Sequence, residues 1–181
     1  YMSIGDIPTF KIYDASENNY VDATPSEEVA WTSGNFTPIL DLLSASSNPF
    51  NFELEETGAS TLFIFNADAD QNPIINLNIG DEVALFDSNG VLDNTGATGE
   101  LLVGAGVWTG SQLEVTAIGA VDLSDFGGPI VPGYIEGNSM VLKVWDASEQ
   151  LVCSANYTAS TGSGLFNNLF TTIDSITLVC D

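Results

Sequence analysis

An eight-residue stretch occurs twice in this chain. Phe10-Lys11-Ile12-Tyr13-Asp14-Ala15-Ser16-Glu17 is followed, far downstream, by Leu142-Lys143-Val144-Trp145-Asp146-Ala147-Ser148-Glu149. The Lys, Asp, Ala, Ser and Glu positions are identical, and the other three keep their apolar or aromatic character. The match extends upstream, with Gly5 facing Gly137. It extends downstream more loosely, with Gly34-Asn35-Phe36 facing Gly164-Leu165-Phe166 after a two-residue slip. Self-similarity of this kind marks a repeated structural unit. Residues 50–181 read as one complete module, and residues 1–46 as the second part of another. The first copy has nothing that corresponds to residues 50–133.

Alternation of apolar and polar residues sets the secondary structure. Thr9-Phe10-Lys11-Ile12-Tyr13, Glu82-Val83-Ala84-Leu85-Phe86, Gln112-Leu113-Glu114-Val115-Thr116 and Met140-Val141-Leu142-Lys143-Val144 have the two-residue period of strands. Thr61-Leu62-Phe63-Ile64-Phe65 is a short apolar run of the same kind. Asp87-Ser88-Asn89-Gly90, Gly127-Gly128-Pro129 and Glu136-Gly137-Asn138 punctuate them with turn residues. Ile39-Leu40-Asp41-Leu42-Leu43 reads as a further strand, because its repeat partner near 173–179 is β-branched. The fold class expected is all-β, an Ig-like or jelly-roll-type β-sandwich. Its N-terminal partial module is expected to be completed by strand pairing with a neighbouring subunit.

Charge excludes several functions. The 181 residues carry 25 acidic side chains against two basic ones, Lys11 and Lys143, for a net charge of −23, with no His. A nucleic-acid or anionic-membrane binder needs cations that this chain lacks. Without histidine, a Ser-His-Asp triad and a His-ligated zinc site are both impossible. Hydrophobic residues at 44% separate the chain from disordered polyanions. No segment has the length and apolarity of a membrane span. Tyr1 in place of Met reads as a mature chain whose export signal has been removed. The two cysteines, Cys153 and Cys180, are expected to form a disulfide, with free buried thiols as the alternative. The localisation expected is extracellular or at the cell surface.

Ile79-Gly80-Asp81-Glu82-Val83-Ala84-Leu85-Phe86-Asp87 is followed by Leu102-Val103-Gly104-Ala105-Gly106-Val107-Trp108. Gly137-Asn138-Ser139-Met140 then runs into Lys143-Val144-Trp145-Asp146. This pattern resembles a β-sandwich repeat module of secreted and cell-surface proteins of environmental, Bacteroidota-like bacteria. The resemblance covers residues 50–181 well and 1–46 in part. It implies an extracellular, non-catalytic module.

Candidate ligand sites are few. Asp68, Asp70 and Asn72 place oxygen side chains at alternate positions, as calcium loops do, and Asp87, Asn89 and Asp93 form a second such run. Both lack the bidentate Glu of an EF-hand, and turn chemistry accounts for Asn89-Gly90 equally well. Calcium is the cofactor expected. Lys11 and Lys143 are expected to pair with Asp14 and Asp146 rather than to act in catalysis. Trp31, Trp108 and Trp145 read as core or interface residues more than as a sugar platform. Asn35 and Asn156 head glycosylation sequons, so glycans are candidate partners.

The incomplete repeat carries the functional expectation. Half a sandwich leaves a sheet edge unpaired and a core face open. A structural subunit of an extracellular filament or surface layer is expected, polymerising with copies of itself head to tail by β-strand complementation. Phe10, Ile12 and Tyr13 are the residues expected at the junction. The rival is a carbohydrate-binding or adhesive module of a larger secreted protein. A glycoside-active enzyme would need a cleft holding two carboxylates, one with a raised pKa.

Overall fold

The computed structural model describes residues 3, 5–14, 19–25, 30–32, 43–45, 49–66 and 75–180. The chain forms two compact units, Tyr1–Pro49 and Phe50–Asp181. Apart from one short 3-10 turn, Ser124–Phe126, every regular element described is a strand.

In the second unit, seven strands make one sheet. They are β4 (Ser60–Phe65), β5 (Glu82–Val91), β6 (Thr98–Val107), β7 (Leu113–Ile118), β10 (Met140–Asp146), β11 (Leu151–Thr161) and β12 (Phe170–Val179). Their order is β6-β5-β10-β11-β12-β4-β7. All neighbours are antiparallel except β12 and β4, which run parallel. Strands β8 (Val121–Asp122) and β9 (Ile130–Val131) form a small separate ladder.

The sheet curls until its two ends approach, giving a sandwich that is nearly a barrel. Two glycines on β6 allow that approach. A Cβ at Gly104 would stand 2.8 Å from the Thr116 carbonyl oxygen, and one at Gly106 would stand 3.1 Å from the Val115 side chain. Inside the curl, alternate residues of each strand interlock. Phe63 and Phe65, Val83 and Leu85, and Leu142 and Val144 are all buried there, with Trp108, Phe166 and Ile173. Tyr134 stacks on Phe166 with ring centroids 4.5 Å apart. The two-residue period of the sequence is the cause, since successive side chains of a strand face opposite sides.

Three strands make the sheet of the first unit: β1 (Phe10–Asp14), β2 (Asn19–Pro25) and β3 (Leu43–Ala45), in the order β1-β2-β3. This sheet repeats β10-β11-β12. Every β1–β2 pair, from Phe10↔Ala23 to Asp14↔Asn19, maps onto a β10–β11 pair when 132 is added to both numbers. The β2–β3 pairs Ala23↔Ala45, Thr24↔Ser44 and Pro25↔Leu43 likewise match Ala155↔Leu178, Asn156↔Thr177 and Tyr157↔Ile176. The sequence repeat is therefore a repeat of hydrogen-bond register.

Two expectations change. Strand β1 is already paired with β2 of its own chain, so its ladder is half satisfied rather than empty. Phe10 and Ile12 share one face of β1 while Tyr13 lies on the other, beside Tyr20 at a ring-centroid distance of 5.0 Å. One apolar contact surface cannot take all three, because alternate strand residues point to opposite sides. Of the strand expected over 39–43, residues 39–42 lie outside the described residues, and Leu43 begins β3.

Cys153 and Cys180 are bonded, with Cα atoms 4.4 Å apart and a sequence separation of 27. The bridge ties β11 to the residue that follows β12. A loop of this length restricts the unfolded chain by about 3.5 kcal/mol on the chain-entropy view. Replacing both cysteines by serine is expected to lower the unfolding free energy by about that amount. Urea denaturation followed by tryptophan fluorescence measures it, and an unchanged midpoint would contradict the assignment.

Candidate functional site

Acidic residues cluster around β5, and the fold uses most of them as hydrogen-bond acceptors. Asp87 is fully buried. Its carboxylate accepts the Asn89 N–H at 2.9 Å, the Ile135 N–H at 2.8 Å and the Asn138 side-chain amide at 2.9 and 3.0 Å. It thereby ties β5 to the turn that leads into β10. Asp81 is also buried and accepts N–H groups from Asn78 at 2.8 Å and from Ala147 at 3.1 Å. Ala147 belongs to the repeated Asp-Ala-Ser-Glu turn. Asp146 closes the same turn by accepting the Ser148 N–H and hydroxyl and the Glu149 N–H. Those donors, the Ser148 hydroxyl foremost, hold the Asp146 carboxyl below its ordinary range.

The candidate calcium run on β5 is consumed in the same way. Asp93 accepts the Thr95 N–H and hydroxyl and the Ala97 N–H, which organises the β5–β6 turn and lowers its pKa. Asn89 is exposed, whereas Asp87 points inward. Among the described residues, no group of three or more His, Cys, Asp or Glu side chains could hold a metal ion. Asp68, Asp70 and Asn72 lie outside the described residues, as does Asn35. Asn156 is exposed on β11, so its sequon is open to solvent.

Lys143 departs from expectation. Its Nζ pairs with Glu100 of β6 at 2.6 Å and lies 4.3 Å from the centroid of the Phe86 ring on β5. The Asp146 carboxylate is instead engaged by its own turn. Both Lys143 partners lie on strands placed beside β10 only by the tertiary fold, and no local spacing announces them. The tryptophans divide. Trp108 is fully buried, Trp145 is half-buried and Trp31 is exposed.

Glu82 is the carboxyl whose burial opposes its charge. It is 2% exposed, and its Oε2 has no hydrogen-bond partner. Burial raises its pKa from 4.5 to about 6, against a smaller opposing effect of the Phe50 backbone N–H. Such a group suits acid catalysis only where a substrate reaches it, and this one is sealed inside the curl. The indole N–H of Trp108 is likewise buried without a partner. Sequence reading missed the three buried acids. The available signal was Asp81, Glu82 and Asp87 bracketing an apolar run long enough to be buried on both faces.

Comparison with protein-family models, with curated proteins and with solved structures found no match to the chain.

The pH dependence of Glu82 has a definite sign. A carboxyl whose folded pKa is raised stabilises the fold fully below its unfolded value of 4.5 and loses that contribution as pH rises through about 6. The difference amounts to about 2 kcal/mol at most. Glu82→Gln is therefore expected to stabilise the protein at pH 7.5 by up to about 2 kcal/mol and to change little at pH 4. Urea unfolding at both pH values checks it. A destabilised variant at pH 7.5 would show that the ionised carboxylate is needed.

Proposed function

We propose that this chain is a non-catalytic structural subunit of an extracellular filament or surface layer, joined to its neighbours by β-strand complementation. One observation supports this reading. The first unit reproduces β10-β11-β12 in order and register but lacks, among the described residues, the strands that flank them. In the second unit β5 lies along the outer edge of β10, and β4 along that of β12. Leu142 and Val144 are consequently 1% and 0% exposed. Their counterparts Phe10 and Ile12 are only half-buried. A half-closed core with an open edge is unfavourable in isolation and becomes favourable at a junction.

The chemistry of the chain fits such a role. Buried carboxylates that brace turns, a disulfide and a surface of one charge sign suit a scaffold outside the cell. The partners in this proposal are copies of the chain or polypeptides with the same module. Glycans, on Asn156 first, belong to the same reading. The module type it resembles, a repeat of secreted bacterial proteins, supplies the setting.

Electron microscopy of the native material tests the proposal. Filaments or a layer containing this chain are expected outside the cell. Deleting residues 1–20, which removes β1, is expected to abolish them while leaving a soluble second unit. If the truncated chain still assembles, the reading fails.

Calcium enters as a second element of the proposal, held by Asp68, Asp70 and Asn72 in a chain of net charge −23. A cation bound to the folded form raises the melting temperature by mass action. Melting is expected at higher temperature in millimolar calcium than in excess chelator. Superimposed curves would remove calcium from the account.

A further inference from the structure

We infer that the first unit is the acceptor half of a module whose donor half has the chemistry of residues 50–133 and belongs to another polypeptide, not to an intact second copy of this chain. The inference rests on the complementation reading above and names the partner that it requires.

The register states what the donor must look like. In the second unit β5 pairs with β10 from Met140↔Asp87 to Trp145↔Glu82. Shifted by 132 residues, this ladder sets a β5-like strand antiparallel to Pro8–Tyr13. Ile12 then meets the position of Val83, and Phe10 meets that of Leu85. Both donor positions are fully buried in the second unit, so the donor covers the face that leaves Phe10 and Ile12 half-buried. A proline stands at the Met140 position. It removes no rung, because Met140 gives its N–H to the Gly164 carbonyl oxygen. On the opposite face Lys11 takes the place of Lys143, which in the second unit lies against Phe86 and Glu100.

An intact copy cannot supply this strand. Its β5 is already paired on both sides, with β6 and with β10, and its β4 with β12 and with β7. The outer ends of the sheet, β6 and β7, close on each other through Gly104 and Gly106. Each copy also holds two acceptor sheets, β1-β2-β3 and β10-β11-β12, and a single donor half. Exchange of donor halves between copies therefore always leaves as many acceptors open as it fills. A donor half without an acceptor of its own is needed to close the first unit.

The test uses the full chain and a labelled synthetic peptide with the sequence of residues 81–108, which spans β5 and β6. Fluorescence polarisation is expected to show saturable binding. Hydrogen exchange is expected to slow at residues 9–14 and to stay unchanged at 140–146. Ile12→Lys is expected to weaken binding by more than about tenfold, since it sets a charge against an apolar strand. A peptide carrying Leu85→Asp is expected to fail on the unaltered chain, which keeps the test independent of how the variant protein folds. Equal binding of the two peptides, or protection at 140–146 instead, would overturn the inference. Ultracentrifugation of the chain alone separates the two readings. Polymers of the chain alone with residues 9–14 protected would overturn the foreign donor and leave complementation standing. A monomer that ignores the peptide would defeat both.

Discussion

A three-stranded sheet cannot bury its own inner face. Its side chains need a second layer at the right distance, and its outer strands need partners for their free backbone groups. In the second unit that layer arrives by hydrogen bonding along two edges, β5 on β10 and β4 on β12. The curl that results closes the core over Leu142 and Val144. The first unit contains the same three strands in the same register, and Phe10 and Ile12 stay half-buried. The difference between the two units lies in their neighbours, since the strands themselves are nearly alike.

The buried acids follow from the same closure. When β5 is drawn between β6 and β10, the turns at its ends are drawn inward with it. Their N–H groups lose water and need acceptors. Asp81 and Asp87 meet that need, Asp81 for a turn near residue 78 and for the repeated turn, Asp87 for the turn before β10. A carboxylate accepts several hydrogen bonds at once, which makes it an efficient brace for irregular backbone. In a chain of net charge −23 these side chains work as acceptors within the fold as much as they solvate its surface. Glu82 lies at the edge of this arrangement, with one oxygen unmatched and its charge correspondingly disfavoured.

Much of the fold was legible because strand alternation is a local property. The strand at 140–146, the turn at 87–90 and the repeat that joins 10–17 to 142–149 all read directly from neighbouring residues. The assembly residues were only partly legible. Phe10, Ile12 and Tyr13 are all apolar or aromatic, but their faces are separated by the pleat, and Tyr13 belongs with Tyr20. The ion pairs were not legible. Asp146 is three residues from Lys143, whereas Glu100 is separated by two strand boundaries, and sequence distance favours the wrong partner. The Asp87 run had calcium spacing, but spacing says nothing of which way each oxygen points.

By itself the sequence determined an all-β chain with a repeated strand–turn unit, no cationic surface and no histidine chemistry. These follow from side-chain period and composition, which act residue by residue. It also determined that one copy of the repeat lacks the counterpart of residues 50–133. Tertiary structure alone decided that the repeat preserves hydrogen-bond register and that β1 is paired along β2. It alone placed Asp81 and Asp87 inside and set Lys143 beside Glu100. These depend on which strands lie side by side, and pairing between segments far apart in sequence is settled by the closure of the whole core.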